Sequence, residues 1–209
     1  LTVNGGDFLV KGAVRLGYCK VNPAFPEQAS TINLNGGTFT TGGIVLGNYD
    51  ANASNPAIPS YLNLNGGVMT ITNTLNLSRN SGGKSVVTLN EGATLKVKTL
   101  TSTRTGGTLR FNGGTLILTG AASTDDKSDY LVGAKGAVIS TAEAPDGQTT
   151  LNLVLKHDPA LGDTLDGGLV KKGPGTLVIS EDCTFTGPII IEEGKVVRGG
   201  RELTGDDDV

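Results

Sequence analysis

His157 is the only histidine of the chain and sits in Lys156-His157-Asp158-Pro159, at the exit of an apolar run. A catalytic histidine needs a nucleophile or a second titrating group held against it, and one His beside one Asp does not make a triad. It reads as a loop residue. Cys19 and Cys183 are too few for a disulfide framework and match neither a CxxC redox pair nor a zinc ligand set. Asp125, Asp126 and Asp129, and the run Asp206-Asp207-Asp208, concentrate charge as solvated loops and chain ends do. The sequence therefore predicts no catalytic, cofactor-binding or metal-ligating residue.

The stretch Leu161-Gly162-Asp163-Thr164-Leu165-Asp166-Gly167-Gly168 has the acidic-glycine spacing of a calcium-binding nonapeptide. Such a site needs tandem copies to complete its coordination shell, and only one copy is present, so a turn is expected around Asp163 and Asp166. With 17 Lys+Arg against 20 Asp+Glu and a formal net charge of -3, the chain has no electrostatic case for a polyanion, and nucleic acid is disfavoured as a partner. No apolar run reaches the roughly 18 residues of a membrane helix, so no membrane insertion is expected. Leu1 to Gly6 lack the basic and apolar regions of a signal peptide. The chain reads as a piece of a longer parent polypeptide.

What positions the residues is a repeat. Leu1-Thr2-Val3-Asn4-Gly5-Gly6 recurs as Ile32-Asn33-Leu34-Asn35-Gly36-Gly37 and Leu62-Asn63-Leu64-Asn65-Gly66-Gly67, with looser copies at Val87 to Gly92 and Leu109 to Gly114. From Asn4 the steps to Asn35, Asn65, Asn90 and Asn112 are 31, 30, 25 and 22 residues. Apolar and polar residues alternate within each copy, which predicts a strand with one buried face, and Asn-Gly-Gly ends the strand in a corner. Two further short β runs follow, such as Thr38 to Thr41 and Ile44 to Gly47. Units this small cannot bury their own apolar faces and must stack. The expected fold is all-β, a parallel β-helix of about seven rungs, favoured over a propeller, whose blade needs about 40 residues, and over a sandwich. At about 4.8 Å per rung, Asn4, Asn35, Asn65, Asn90 and Asn112 form a column whose amides can bond as a ladder.

A second repeat lies in lateral loops. Asn22-Pro23-Ala24-Phe25-Pro26 and Asn55-Pro56-Ala57-Ile58-Pro59 each precede the next rung, so they leave the same corner of adjacent rungs. The prolines restrict the backbone around Phe25 and Ile58. The expected role is a cover for the solenoid flank, with a partner-contact patch of Tyr18, Phe25, Tyr49 and Ile58 as the sharper alternative. Glycine, 32 of 209 residues, is too irregularly spaced for collagen, and 37% hydrophobic residues argue against disorder.

Residues 168–198 closely resemble the autotransporter-associated β-strand repeat, also called the passenger-associated transport repeat. The likeness rests on Leu169, Lys171, Gly173, Gly175-Thr176-Leu177, Ser180, Thr184-Phe185-Thr186-Gly187 and Glu193-Gly194-Lys195-Val196. Glu181 stands where the family has Gly, Cys183 where it has Asn, and Phe185 where it has Tyr. The resemblance implies a large secreted or surface-exposed bacterial protein with a right-handed parallel β-helix, and no particular activity.

One domain is expected over 1–198, with Asn-Gly-Gly rungs over 1–120, an irregular insertion over 121–150, C-terminal rungs over 151–198 and a tail over 199–209. Thr150 to Leu155 reads as one rung strand. About six rung steps, or some 29 Å, separate Cys19 from Cys183, so no disulfide joins them. The expected function is structural and without catalysis or cofactor: a stalk or adhesive surface of a secreted or outer-membrane-associated bacterial passenger, with a surface glycan or a protein as its ligand. The alternative is a carbohydrate-binding or noncatalytic part of a β-helical polysaccharide-degrading enzyme. Those enzymes cluster carboxylates on one face, and no Asp/Glu pair recurs at rung spacing; with 0 Trp and 4 Tyr, stacking of sugars has little to draw on.

Overall fold

A computed structural model describes residues 1–17, 29–47, 59–80, 84–120, 122–125 and 127–203. Tyr18, Cys19, Phe25, Tyr49 and Ile58 lie outside them, and with them the two Pro-rich loops and Asp206-Asp207-Asp208. In chain order the strands are β1 (Thr2–Val3), β2 (Asp7–Arg15), β3 (Ser30–Leu34), β4 (Thr38–Val45), β5 (Ser60–Leu64), β6 (Gly67–Asn76), β7 (Ser85–Asn90), β8 (Ala93–Thr101), β9 (Gly107–Asn112) and β10 (Thr115–Leu118). Next come β11 (Ala122–Thr124), β12 (Asp129–Val132), β13 (Ala137–Ser140), β14 (Gln148–Asn152) and β15 (Leu155–His157). The last are β16 (Leu169–Lys172), β17 (Thr176–Ile179), β18 (Ile189–Ile191), β19 (Lys195–Arg198) and β20 (Arg201–Leu203).

They build three walls. The first runs β1-β3-β5-β7-β9-β12-β15, the second β2-β4-β6-β8-β10-β13-β16-β18, and the third β11-β14-β17-β19-β20. Successive strands alternate between walls, and pairing is parallel throughout except for β19 with β20. This is a parallel β-helix of about seven rungs. Strands β2, β4, β6 and β8 shift register part-way along, β4 at Gly42-Gly43. Below β8 the bend becomes a break, with β10 staying in the second wall and β11, packed against β8, opening the third.

Period-2 alternation sends every second side chain inward, and register aligns them in columns. Leu34, Leu64, Leu89, Phe111 and Val132 stack on the first wall, and Phe39, Met69, Leu95, Leu116 and Ile139 on the second, all wholly buried. Each buried side chain of this size stabilises by ~1.5–3 kcal/mol, so the stack, and not any single rung, holds the fold.

The stretch expected to be an irregular insertion supplies β11, β12, β13 and most of β14 to all three walls. Its polar residues misled because one of them is satisfied inside: Asp125 is buried and accepts from the buried Tyr130 hydroxyl at 2.9 Å and from the Lys127 N–H at 2.9 Å. Burial, then the Asp125 charge, pushes that phenol well above its ordinary range. The run Thr150 to Leu155 is two strands, since β14 and β15 belong to different walls and the chain turns a corner at buried Leu153. The segment read as a tail begins with β20, which folds back on β19 through Gly199 and Gly200 at φ of 56° and 82°.

Candidate functional site

The asparagine column forms a continuous ladder. Nδ2 of Asn35 donates to Oδ1 of Asn4 at 2.8 Å, Asn65 to Asn35 at 2.8 Å, Asn90 to Asn65 at 2.9 Å and Asn112 to Asn90 at 3.0 Å. A shorter parallel row runs beside it, Asn63 to Asn33 at 2.9 Å. The glycines after the Asn allow the corners to nest. A Cβ on Gly37 would lie 2.2 Å from the Gly6 carbonyl oxygen, and one on Gly67 2.4 Å from that of Gly37, at φ of +76° and +75°.

Below Asn112 the column changes chemistry. By register the next positions are Gly133, which has no side chain, and Asp158. Asp158 turns to other work: Oδ1 accepts from the Ala160 N–H at 3.0 Å, capping the 3-10 turn Pro159–Leu161, and Oδ2 lies 2.6 Å from Arg110 Nε. The corner is fastened instead by Asp166, whose side chain is fully buried. Its Oδ1 accepts from the N–H groups of Gly168 and Gly187, both at 2.9 Å. Its Oδ2 accepts from the Thr186 N–H at 2.7 Å and hydroxyl at 3.0 Å, and faces His157 Nδ1 at 2.9 Å. His157 Nε2 faces the Gly162 carbonyl oxygen at 3.1 Å.

Both ring nitrogens of His157 therefore meet acceptors, an arrangement that the doubly protonated imidazolium satisfies. The bond to Asp166 raises the His157 pKa against the opposing effect of burial. Burial pushes the Asp166 carboxyl up, but the bonds from Thr186, His157, Gly168 and Gly187 outweigh it and hold the group below its ordinary range. The cluster has the residue types of a Thr-His-Asp triad without its geometry. Thr186 Oγ1 and Asp166 Oδ2 crowd the same ring nitrogen, the hydroxyl at 3.2 Å, and the other nitrogen is held by a carbonyl, so no base is left to take a proton from Thr186. What the arrangement does is tie the β15 exit, the 158–168 turn and the 184–187 segment together.

A second buried charge stands one corner away. Lys171 occupies the second-wall column directly after Ile139 and is fully buried. Its ammonium donates to the carbonyl oxygens of Gly173 at 2.6 Å, Glu193 at 2.8 Å and Lys172 at 3.1 Å, and burial lowers its pKa against a raising effect of Glu193. No group of three or more His, Cys, Asp or Glu side chains among the described residues is placed to share a metal ion.

His157, expected as a loop residue, closes β15 and belongs to this corner, while Asp163 takes no part in it. Sequence reasoning placed Asp166 in a turn but missed its burial and its role as the acceptor of the corner, and it missed the part of Thr186 and the burial of Lys171. Asp166-Gly167-Gly168 carried the available signal, being the Asn-Gly-Gly corner with a carboxylate in place of the amide. Comparison with family models, with curated proteins and with solved structures finds no match to this chain. The assignment of a β-solenoid thus rests on the strand pairing itself.

Proposed function

We propose that this solenoid is a structural segment of a secreted or cell-surface bacterial passenger or adhesin-like protein, a stalk or adhesive surface that performs no catalysis. The observation that carries the reading is the continuous lateral linkage: the amide ladder from Asn4 to Asn112 and the core columns join rung to rung, the construction of a rod that keeps its length under load. The titratable cluster most like a catalytic group, His157 with Asp166 and Thr186, is consumed in holding a corner. The secreted bacterial setting is supported by the passenger-type repeat over 168–198, whose Leu169, Lys171, Leu177 and Val196 all point inward and are fully buried, as a stacking repeat requires.

Surface labelling tests this reading. Antibody against the chain is expected to stain intact producing cells, and protease added outside should remove the signal. Staining only after lysis would overturn the surface assignment. Release of reducing ends or unsaturated sugars from a panel of acidic and neutral polysaccharides by the purified chain, abolished by heat, would overturn the absence of catalysis and favour a β-helical polysaccharide-degrading enzyme.

A further inference from the structure

The formal net charge of -3 is the balance of two unlike halves. Residues 1–120 hold nine Lys+Arg against four Asp+Glu, and residues 121–209 hold eight against sixteen, so the Asn-Gly-Gly rungs are cationic and the later rungs anionic. Over the whole chain this gives no case for a polyanion; over the first half it does.

Placement sharpens the imbalance. Lys96 and Arg110 are taken by Glu143 and Asp158 of the anionic half. Lys11, Arg15, Arg79, Lys84, Lys98 and Arg104 are exposed and form no ion pair with any described residue. All six lie on one side of the coil, between the register shift of the second wall and the corner that leads into the first. Lys11 and Lys98 stand at the shifts of β2 and β8. Arg15 shares a register column with Val45, Asn76 and Thr101, and Arg79 and Arg104 each lie three residues beyond the last two of these. The Ser78 carbonyl accepts from the Thr103 and Arg104 N–H groups at 2.8 and 3.0 Å, so the Arg79 and Arg104 corners stack one rung, about 4.8 Å, apart. Lys84 closes the Arg79 corner, its carbonyl accepting from the Ser60 N–H at 3.0 Å. The two described acids of this half, Asp7 and Glu91, sit at the Asn-Gly-Gly corner, at the other end of the second-wall strands. There Asp7 accepts from the Thr38 hydroxyl at 2.6 Å and Glu91 pairs with Lys135 at 2.6 Å. Stacked like charges with no acid beside them repel, and an anion shared between rungs removes that repulsion.

We propose that this cationic side is a docking surface for a linear acidic polysaccharide that lies along the coil axis and carries a carboxylate or sulfate on most of its sugars. A sugar ring spans about the height of a rung, so successive acid groups meet successive corners. The guanidiniums of Arg79 and Arg104 suit the two oxygens of such a group, and the exposed Thr72 and Thr103 add hydroxyls beside them. A ligand held by charge does not need the aromatic stacking that a neutral glycan would. Duplex nucleic acid, with a charge every ~1.7 Å, is far denser than this row of cations, and the row holds no aromatic side chain on which single-stranded bases could stack. The choice of a glycan rests also on the surface reading above, whereas the cationic side stands without it.

The test measures binding of the purified chain to labelled polygalacturonate and dextran sulfate, with neutral dextran and duplex DNA for comparison. Both acidic polymers are expected to bind and dextran is not, and a rise from about 0.05 to 0.5 M NaCl should weaken binding at least about tenfold. Arg79→Gln with Arg104→Gln, and separately Lys84→Gln with Lys98→Gln, should each weaken it at least about tenfold and leave the melting temperature within about 2 °C. Lys172→Gln with Lys195→Gln removes the same charge from the anionic half and should weaken it less than about twofold. Either cationic pair decides the outcome if the other variant does not fold, and binding of only one acidic polymer identifies the acid group. The proposal is overturned if neither acidic polymer binds, if both cationic pairs bind as the native chain does, or if the Lys172/Lys195 pair costs as much as they do. It is overturned equally if DNA binds more tightly than either polysaccharide, because the partner is then nucleic acid. Binding in solution does not depend on where the chain is displayed, so its failure would leave the surface-labelling result standing, and staining only after lysis would leave the measured binding standing.

Discussion

Asp166→Asn is expected to loosen the C-terminal corner while keeping its size and shape. The two carboxylate oxygens together receive the N–H groups of Gly168, Gly187 and Thr186, the Thr186 hydroxyl and His157 Nδ1. An amide has one oxygen, so its NH2 must face either the two glycine N–H groups or the Thr186 N–H and His157. Each orientation strands two donors in a buried site. At about 1–3 kcal/mol per unsatisfied buried group, the loss is about 3–4 kcal/mol. In a domain of this size 1 kcal/mol corresponds to about 2–4 °C, so the melting temperature should fall by roughly 10 °C. Because His157 is the only histidine, its ring proton in the NMR spectrum gives an independent reading. In the native chain the bond to Asp166 raises its pKa above the ordinary value of about 6.5, and in the variant it should return toward that value. The signs follow by linkage. Stability contributed by His157 is fully present below about pH 6.5 and is lost as pH rises through its raised folded value. That contributed by Asp166 is present above about pH 3.9 and is lost as pH falls through its depressed folded value. Maximal contribution from the pair thus lies between about pH 4 and 6.5. A variant melting within about 2 °C of the native chain, with the His157 titration unmoved, would refute this account of the corner.

Lys171→Met keeps the buried stem and strips the donor from the carbonyls of Lys172, Gly173 and Glu193, so urea unfolding should show a loss of about 2–3 kcal/mol; equal stability would mean that those carbonyls find other partners. Asn65→Ala breaks the ladder above and below, removing the bonds to Asn35 and from Asn90, for a total of about 1–2 kcal/mol at this exposed site. Combining it with Asn35→Ala should cost less than the sum, because the two share one bond; strict additivity would argue against a coupled ladder. Cys183 is buried and free, and burial pushes its thiol pKa up, so alkylation of the native chain should be far slower at Cys183 than after denaturation. Denatured without reductant, the chain should take up two alkyl groups, and a mass showing a Cys19–Cys183 bridge would contradict the expected separation of these residues.

The solenoid was legible in the sequence because its determinants are local and repeated. Alternation in Ile32-Asn33-Leu34 and Leu62-Asn63-Leu64 decides which face is buried, and Asn-Gly-Gly decides where the chain turns, so period and corner together dictate stacking and, through it, the amide ladder. The second half resisted because its signals are not local. Asp125, Lys171 and Asp166 carry no mark of burial when read one residue at a time; the Tyr130 hydroxyl five residues on, the carbonyls of Lys172 and Gly173 with that of Glu193 in the following rung, and the converging N–H groups of Gly168, Thr186 and Gly187 make their burial tolerable. His157 likewise took its role from Asp166, nine residues further along the chain, and from Thr186, which lies in the following rung. Alternation and turn chemistry are properties of a short run of residues and can be read from it. The satisfaction of a buried charge is a property of three segments brought to one corner, and only the stacked chain decides it.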